Sequence, residues 1–126
     1  MGAGTPLGRV RGLGSAHEGV EHWWHQKLTA GTNIFVMSWL LISIARLPGY
    51  DRASVVAWMS SAWVAVPMAL LIISICYHFR LGLQVVIEDY VHDKALRTGA
   101  LLANTLLTWA FGLSGVFAVA KIAFTA

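Results

Sequence analysis

The chain has 126 residues, of which 57% are hydrophobic and only 12% are charged, and its mean hydropathy is +0.65. This composition is typical of a membrane protein and leaves no room for a separate soluble enzyme domain. The net charge of +3 comes from scattered basic residues without a groove-reading motif, so it does not indicate a nucleic-acid partner.

Residues 1–27 form an N-terminal segment ahead of the first apolar run. Its first 14 residues are rich in glycine and are expected to be mobile or held only by partners. It has neither the apolar core of a secretory signal nor an Arg- and Ser-rich transit helix, which favours a bacterial protein inserted by its own first span. Metal binding is conceivable for three histidines, but a solvated interfacial face is the plainer interpretation for His17, His22 and His25.

Three apolar runs predict membrane-spanning helices at about residues 28–46, 62–88 and 98–121. A short interfacial helix is expected at residues 54–59, after the turn that Pro48 and Gly49 indicate. The sequence therefore predicts a single all-α membrane domain with three spans.

The third span carries residues suited to packing against other helices. Small residues recur every four positions, which predicts a close-packing stripe, and two polar residues on a related face predict interhelical hydrogen bonds. The stripe is Ala110, Ser114 and Ala118, and the polar residues are Asn104 and Thr108.

The second span contains the residues around which the chain is organised. His78 lies deep in this span, and Asp89 and Tyr90 close its far end. At 100° and 1.5 Å per residue, His78 and Asp89 are about 20° apart around a helix and about 16 Å apart along it. If Asp89 lies at the membrane interface, His78 lies near the midplane. Gly82, one turn after His78, would allow a flat group to approach the helix.

An ionisable residue inside a span is a candidate functional residue. Haem iron takes imidazole as an axial ligand, so His78 could bind haem, with the second ligand coming from another chain. An interhelical hydrogen bond from His78 is an equally open interpretation at this point. Arg80 also needs a partner at this depth, and either a haem propionate or a lipid phosphate would serve. Cys76 is interpreted as a small packing residue.

The distribution of basic residues predicts the orientation of the chain. Five basic residues fall on the side of the N-terminus and three on the other, which favours a cytoplasmic N-terminus and places Asp89 and Tyr90 on the cytoplasmic side. The two groups are Arg9, Arg11, Lys27, Lys94 and Arg97, and Arg46, Arg52 and Lys121.

The run RLGLQVVIEDYVHD and the spacing of His78, Gly82, Gln84, Asp89 and Tyr90 resemble the hydrophobic membrane-anchor (D-type) subunits of succinate dehydrogenase, respiratory complex II, in their alphaproteobacterial form. The N-terminal S-A-H-x-G and the K-L-T-A that opens the first span also match this family, in which an Arg stands at the position of Lys27.

The resemblance implies an axial haem b ligand at His78 and a ubiquinone site at Asp89 and Tyr90, with the Tyr90 hydroxyl donating to a quinone carbonyl. It implies that Lys27 lies near a haem propionate, where Lys keeps the charge of Arg but not its bidentate geometry. The expected partners are a cytochrome b membrane subunit with the second haem ligand, an iron–sulfur subunit and a flavoprotein subunit. The expected location is the bacterial inner membrane, in a heteromeric helical bundle surrounded by lipid.

Alternatives remain for the whole chain and for the quinone residues. The chain has no flavin or iron–sulfur motif, so it would not oxidise succinate alone. It could instead anchor a fumarate reductase, or serve as a helical scaffold without a cofactor. Tyr90 could be an aromatic-belt residue, and Asp89 could cap the third helix.

Overall fold

A computed structural model describes residues 5–11 and 19–125, which form five α-helices and no strand. Three of these helices are long and apolar enough to cross a membrane, and the chain is an α-helical membrane protein as the sequence predicted. The helices are α1 (Pro6–Arg11), α2 (Gly19–Ala45), α3 (Arg52–Met59), α4 (Ala62–Tyr90) and α5 (Lys94–Thr125), and the spanning ones are α2, α4 and α5.

Two helices begin ahead of the first apolar run. α1 begins with Pro6, whose fixed φ favours the first position of a helix. α2 begins at Gly19, well before residue 28, because hydropathy marks where a helix enters the membrane and not where its backbone hydrogen bonds begin. The position of the membrane boundary along α2 stays a prediction. His17 lies outside the described residues.

α4 is the central helix of the fold. It packs against α2 on one side and α5 on the other, whereas α2 and α5 make no close backbone contact within the described residues. Leu71 and Leu81 of α4 are among the few buried side chains, and α2 has none. The three long helices therefore form an open layer centred on α4.

Two glycines allow α5 to approach α4 closely. A Cβ at Gly115 would lie 3.0 Å from the Cγ2 atom of Ile72, and one at Gly112 would lie 3.6 Å from the Cβ of Cys76. Cys76 is thus a packing residue, as expected, and it forms no disulfide.

The predicted small-residue stripe on α5 is on the wrong face for packing within the chain. Ala110, Ser114 and Ala118 are all exposed, because the contact with α4 runs along a neighbouring face. That face includes the buried Asn104 and Thr108. The Asn104 amide donates a hydrogen bond of 3.0 Å to the Arg80 carbonyl, which confirms its predicted role in helix contacts.

The connection between α2 and α4 contains the predicted short helix, which begins at Arg52. Asp51 caps it by accepting hydrogen bonds from the Ser54 amide at 3.2 Å and the Ser54 hydroxyl at 2.6 Å. A Cβ at Gly49 would lie 2.9 Å from the Asp51 carboxylate, so a larger residue there would displace the side chain that forms this cap.

The connection between α4 and α5 is only three residues long, shorter than the sequence suggested. α4 continues through Asp89 and Tyr90, and α5 begins at Lys94. The carboxylate that caps α5 belongs to Asp93, which accepts a hydrogen bond from the Leu96 amide at 2.8 Å. The alternative role of Asp89 as this cap is therefore wrong.

Candidate functional site

His78 faces α2, where its ring Nδ1 lies 2.9 Å from the hydroxyl of Thr29. An interhelical hydrogen bond of His78, one of the two interpretations of this residue, is thus present. It involves only one ring nitrogen. Within the described residues, Nε2 makes no hydrogen bond and is not among the buried unpaired atoms. The imidazole is held at one nitrogen and has the other available.

The face of α2 that borders α4 carries further polar residues. The Tyr77 hydroxyl lies 3.1 Å from Nδ1 of His25. Nε2 of His22 and Oε1 of Gln26 are buried without a hydrogen-bond partner. The expectation of a solvated face is wrong for His25, which contacts Tyr77 of α4, and for His22, whose Nε2 is buried.

Gly82 also lies against α2. A Cβ at this position would be 3.6 Å from the side-chain nitrogen of Gln26, an ordinary contact distance. Within the described residues, the group that approaches Gly82 is thus the Gln26 amide. Together with the pair of Thr29 and His78, this contact fixes the antiparallel register of α2 and α4.

Arg80 lies on the other side of α4 and faces α5. Its Nε is 3.4 Å from the Thr105 hydroxyl, and its backbone carbonyl accepts the hydrogen bond of Asn104. It also borders an apolar groove of about 350 Å³ between α4 and α5. Arg80 follows His78 by two positions, which corresponds to a rotation of about 200° around the helix and explains the separation.

The remaining predicted residues are exposed and do not contact His78. The Nζ of Lys27 lies over the Trp23 ring, 5.7 Å from its centroid. Asp89 and Tyr90 form the last turn of α4, and Tyr90 is 78% exposed. Helical rise places Tyr90 about 18 Å from His78 along the axis. His78 and the Asp89–Tyr90 pair are therefore two separate candidate sites on one helix.

Sequence reasoning missed two contacts of the site. Thr29 had been noted only as part of a motif, and Tyr77 had no assigned role. The available signal was that Thr29 lies four residues after His25 on a helix, which places both on one face. No sequence pattern within α4 could identify the facing residues, because the register of two helices depends on their packing.

The donor set around His78 limits the kind of metal it could bind. No group of three or more His, Cys, Asp or Glu side chains in the described part of the chain could hold a metal ion. A single imidazole with an available Nε2 fits an iron that already carries four porphyrin nitrogens. On this observation the residues present fit a haem, with one axial ligand from this chain.

Comparisons with known proteins identify the family of the chain. The family model of the succinate dehydrogenase/fumarate reductase transmembrane subunit matches residues 1–120. The chain is 30% identical over 118 residues to the succinate dehydrogenase hydrophobic membrane anchor subunit of Paracoccus denitrificans, covering 94% of this chain and 91% of that protein. It is 31% identical over 100 residues to the subunit of the same name from Rickettsia bellii, covering 79% of this chain and 80% of that one.

No solved structure matches the chain. The family match covers nearly the whole sequence, and its description agrees with three apolar helices and with the resemblance carried by His78, Asp89 and Tyr90. The chain therefore belongs to the family of succinate dehydrogenase/fumarate reductase transmembrane subunits.

Proposed function

We propose that this chain is the membrane anchor of a succinate:quinone oxidoreductase, in which it binds one side of a haem b and forms part of a ubiquinone-reduction site. The observation that carries the proposal is the arrangement along α4. A histidine with an available Nε2 lies near the middle of the helix, and an Asp–Tyr pair lies exposed at its end.

His78 is the proposed axial ligand of the haem, which would supply one-electron redox chemistry when bound. Nδ1 of His25, one turn before Thr29 on α2, lies 3.1 Å from the Tyr77 hydroxyl, and the second axial ligand is proposed to come from the partner membrane subunit. Lys27 is proposed to neutralise a haem propionate, and the position of its ammonium group over the Trp23 ring leaves that group able to pair with an anion.

Arg80 is proposed to bind either a haem propionate or a lipid phosphate. Its position on the α5 side of α4, turned away from His78, favours the lipid. The neighbouring groove is lined by apolar side chains such as Trp109 and Leu113, which would suit an acyl chain.

Tyr90 is the proposed hydrogen-bond donor to a quinone carbonyl. A phenolic O–H can donate one hydrogen bond without carrying a charge. The carbonyl oxygen gains negative charge as the quinone is reduced, so a donor at this position stabilises the reduced form. Asp89, the preceding residue in the same turn, is proposed to pass protons from the aqueous side.

The partners follow from what this chain lacks. It carries no flavin-binding or iron–sulfur motif, so we propose that it docks a flavoprotein subunit and an iron–sulfur subunit at the cytoplasmic face of the bacterial inner membrane. The N-terminus would lie on the same side. A cytochrome b subunit is proposed to cover the open face of the helical layer.

The experiment that tests the proposal is the His78→Ala variant of the assembled complex. We expect the b-type haem spectrum to change or the haem to be lost, while the complex still assembles through its three spans. His92→Ala is a matched control, since His92 is exposed and lies beyond the end of α4. A wild-type spectrum and midpoint potential in His78→Ala would contradict ligation by this residue.

The family description includes fumarate reductase, so an anchor working in that direction is a second candidate. Succinate–quinone and quinol–fumarate assays of the purified complex distinguish the two. A helical scaffold without a cofactor is the third candidate. It is favoured by the Thr29–His78 contact, because a scaffold would use His78 for a hydrogen bond between helices. A complex whose reduced-minus-oxidised spectrum lacks a b-type haem would establish the scaffold.

A further inference from the structure

Thr29 is the only partner that the described residues supply to the ring of His78. We propose that Thr29 is a positioning residue for the haem: its hydroxyl accepts a hydrogen bond from Nδ1–H of His78 and so fixes the tautomer whose Nε2 can bind iron. This inference rests on the proposed function of His78 as an axial ligand.

The hydroxyl of Thr29 has three neighbours that compete for its single proton. It lies 2.8 Å from the His25 carbonyl and 3.1 Å from the Gln26 carbonyl, in addition to 2.9 Å from Nδ1 of His78. The two carbonyls can only accept hydrogen bonds, whereas Nδ1 can accept or donate according to the tautomer. When the Thr29 proton points to a carbonyl, the oxygen presents a lone pair to Nδ1.

This arrangement selects one form of the neutral imidazole. A proton on Nδ1 satisfies the Thr29 lone pair and leaves Nε2 as a lone-pair donor. The opposite tautomer would place the proton on Nε2, where it would block a metal. Histidines that bind metals usually donate their other ring N–H to a fixed acceptor, which orients the ring and raises its basicity.

The helix holds Thr29 in place before any haem binds. A threonine hydroxyl that bonds the carbonyl of the preceding turn has a restricted side-chain rotamer. Since α2 and α4 also meet at Gln26 and Gly82, one turn away, the acceptor and the imidazole are held in register by backbone packing. The imidazole is therefore oriented by the protein and not only by the iron.

The test compares three variants of the assembled complex by redox titration of its haem. Thr29→Val keeps the shape but removes the hydroxyl, and Thr29→Ser keeps the hydroxyl. Thr32→Val is the matched control, because Thr32 lies on the same helix and bonds the Leu28 carbonyl at 3.0 Å without contacting His78. Loss of the hydrogen bond makes His78 a less basic ligand, which destabilises ferric haem relative to ferrous haem.

We expect an upward shift of the haem midpoint potential in Thr29→Val, and values near wild type in Thr29→Ser and Thr32→Val. A wild-type potential in Thr29→Val would overturn the inference. If Thr29→Val does not assemble, pulsed EPR of the wild-type and Thr29→Ser complexes decides. A hydrogen-bonded N–H at the remote ring nitrogen of His78 supports the proposal, and its absence refutes it.

The His78→Ala variant separates this test from that of the proposed function. A wild-type haem in His78→Ala shows that His78 is not the ligand and removes the basis for both. An altered haem in His78→Ala together with a wild-type potential in Thr29→Val refutes only the role of Thr29.

Discussion

Tyr90 and Tyr50 are exposed residues of the same type at opposite ends of the helical layer. Both tyrosines are exposed, with 78% and 70% of their surface accessible. Tyr50 lies in the connection between α2 and α4, and its hydroxyl is 3.3 Å from the Ile44 carbonyl. Tyr90 ends α4, at the opposite end of the helical layer and next to Asp89. The two tyrosines are therefore a matched pair across the membrane.

At the residue scale we predict that Tyr90→Phe lowers the rate of quinone reduction by about tenfold, the effect of losing one good hydrogen bond. Asp89→Asn should slow the same step by removing a proton acceptor. Electron transfer to an artificial acceptor upstream of the quinone should be unchanged in both. The measurements are the succinate–quinone and succinate–acceptor rates of the purified complex.

Tyr50→Phe serves as the control for this prediction, since it removes the same hydroxyl on the other side of the membrane. Equal quinone kinetics in Tyr90→Phe, Asp89→Asn and Tyr50→Phe would show that the Asp–Tyr pair only anchors the end of α4.

At the scale of elements, the contact of α5 with α4 depends on glycine, which has no side chain. A Cβ at Gly115 would already be 3.0 Å from Ile72, whereas a Cβ at Gly99, also in α5, would meet nothing within 4 Å. The pair provides a crowded and an open position on one helix.

We predict that Gly115→Val destabilises the chain by about 1–3 kcal/mol, the usual cost of overpacking a helix contact. Gly99→Val should have little effect, since no side chain opposes it. The measurement is the denaturant midpoint of the assembled complex in detergent, or the hydrogen-exchange protection of α5. Equal destabilisation by the two substitutions would show that helix propensity, and not contact with Ile72, determines the effect.

The cap of α3 gives a second prediction at this scale. Hydrogen bonds from the Ser54 hydroxyl and amide lower the pKa of Asp51 below its ordinary value. Because the carboxylate is the form that caps, its stabilisation is complete above the unfolded pKa, about 3.9. It is lost as the pH falls through the lower folded pKa. We therefore expect α3 to fray below about pH 4.

Hydrogen exchange of the α3 amides, corrected for intrinsic rates, measures this fraying in the intact complex. Asp51→Asn retains an acceptor oxygen but cannot titrate, so its α3 protection should not change over the acid range. The explanation fails if Asp51→Asn shows the same acid-induced loss as the wild-type protein.

The helices themselves could be predicted from the sequence because long uncharged runs determine them in a membrane. The hydropathy pattern does not determine where a helix ends: α2 extends back to Gly19, and α4 continues through Tyr90. Helix ends depend on caps, and the cap of α5 is Asp93 and not Asp89, for which capping was the alternative role.

The candidate site was only partly predictable for a related reason. The position of His78 relative to Asp89 follows from one helix, so residue counting was sufficient. The partner Thr29 and the separation of Arg80 toward Thr105 depend on the register and rotation of neighbouring helices. Those are set by close contacts such as Gly115 against Ile72, which apolar periodicity does not specify.

At the scale of the whole molecule, the chain is an incomplete bundle. α4 has a neighbour on each side, but α2 and α5 make no close backbone contact with each other within the described residues. Most large apolar side chains are exposed, including Phe35 on α2, Val66 on α4 and Phe117 on α5. In the membrane these surfaces face lipid or another subunit, which agrees with an anchor that works as part of a complex.

The small interior has a consequence for how the sequence can change over time. Only five apolar and three polar residues are buried within the described part of the chain. Lipid accepts nearly any apolar side chain, so most positions can drift while hydropathy is maintained. Positions that contact a partner subunit can change only when the partner acquires a compensating substitution. The slowest positions should be those that join the helices to each other, such as Thr29 with His78 and Asn104 with the Arg80 backbone.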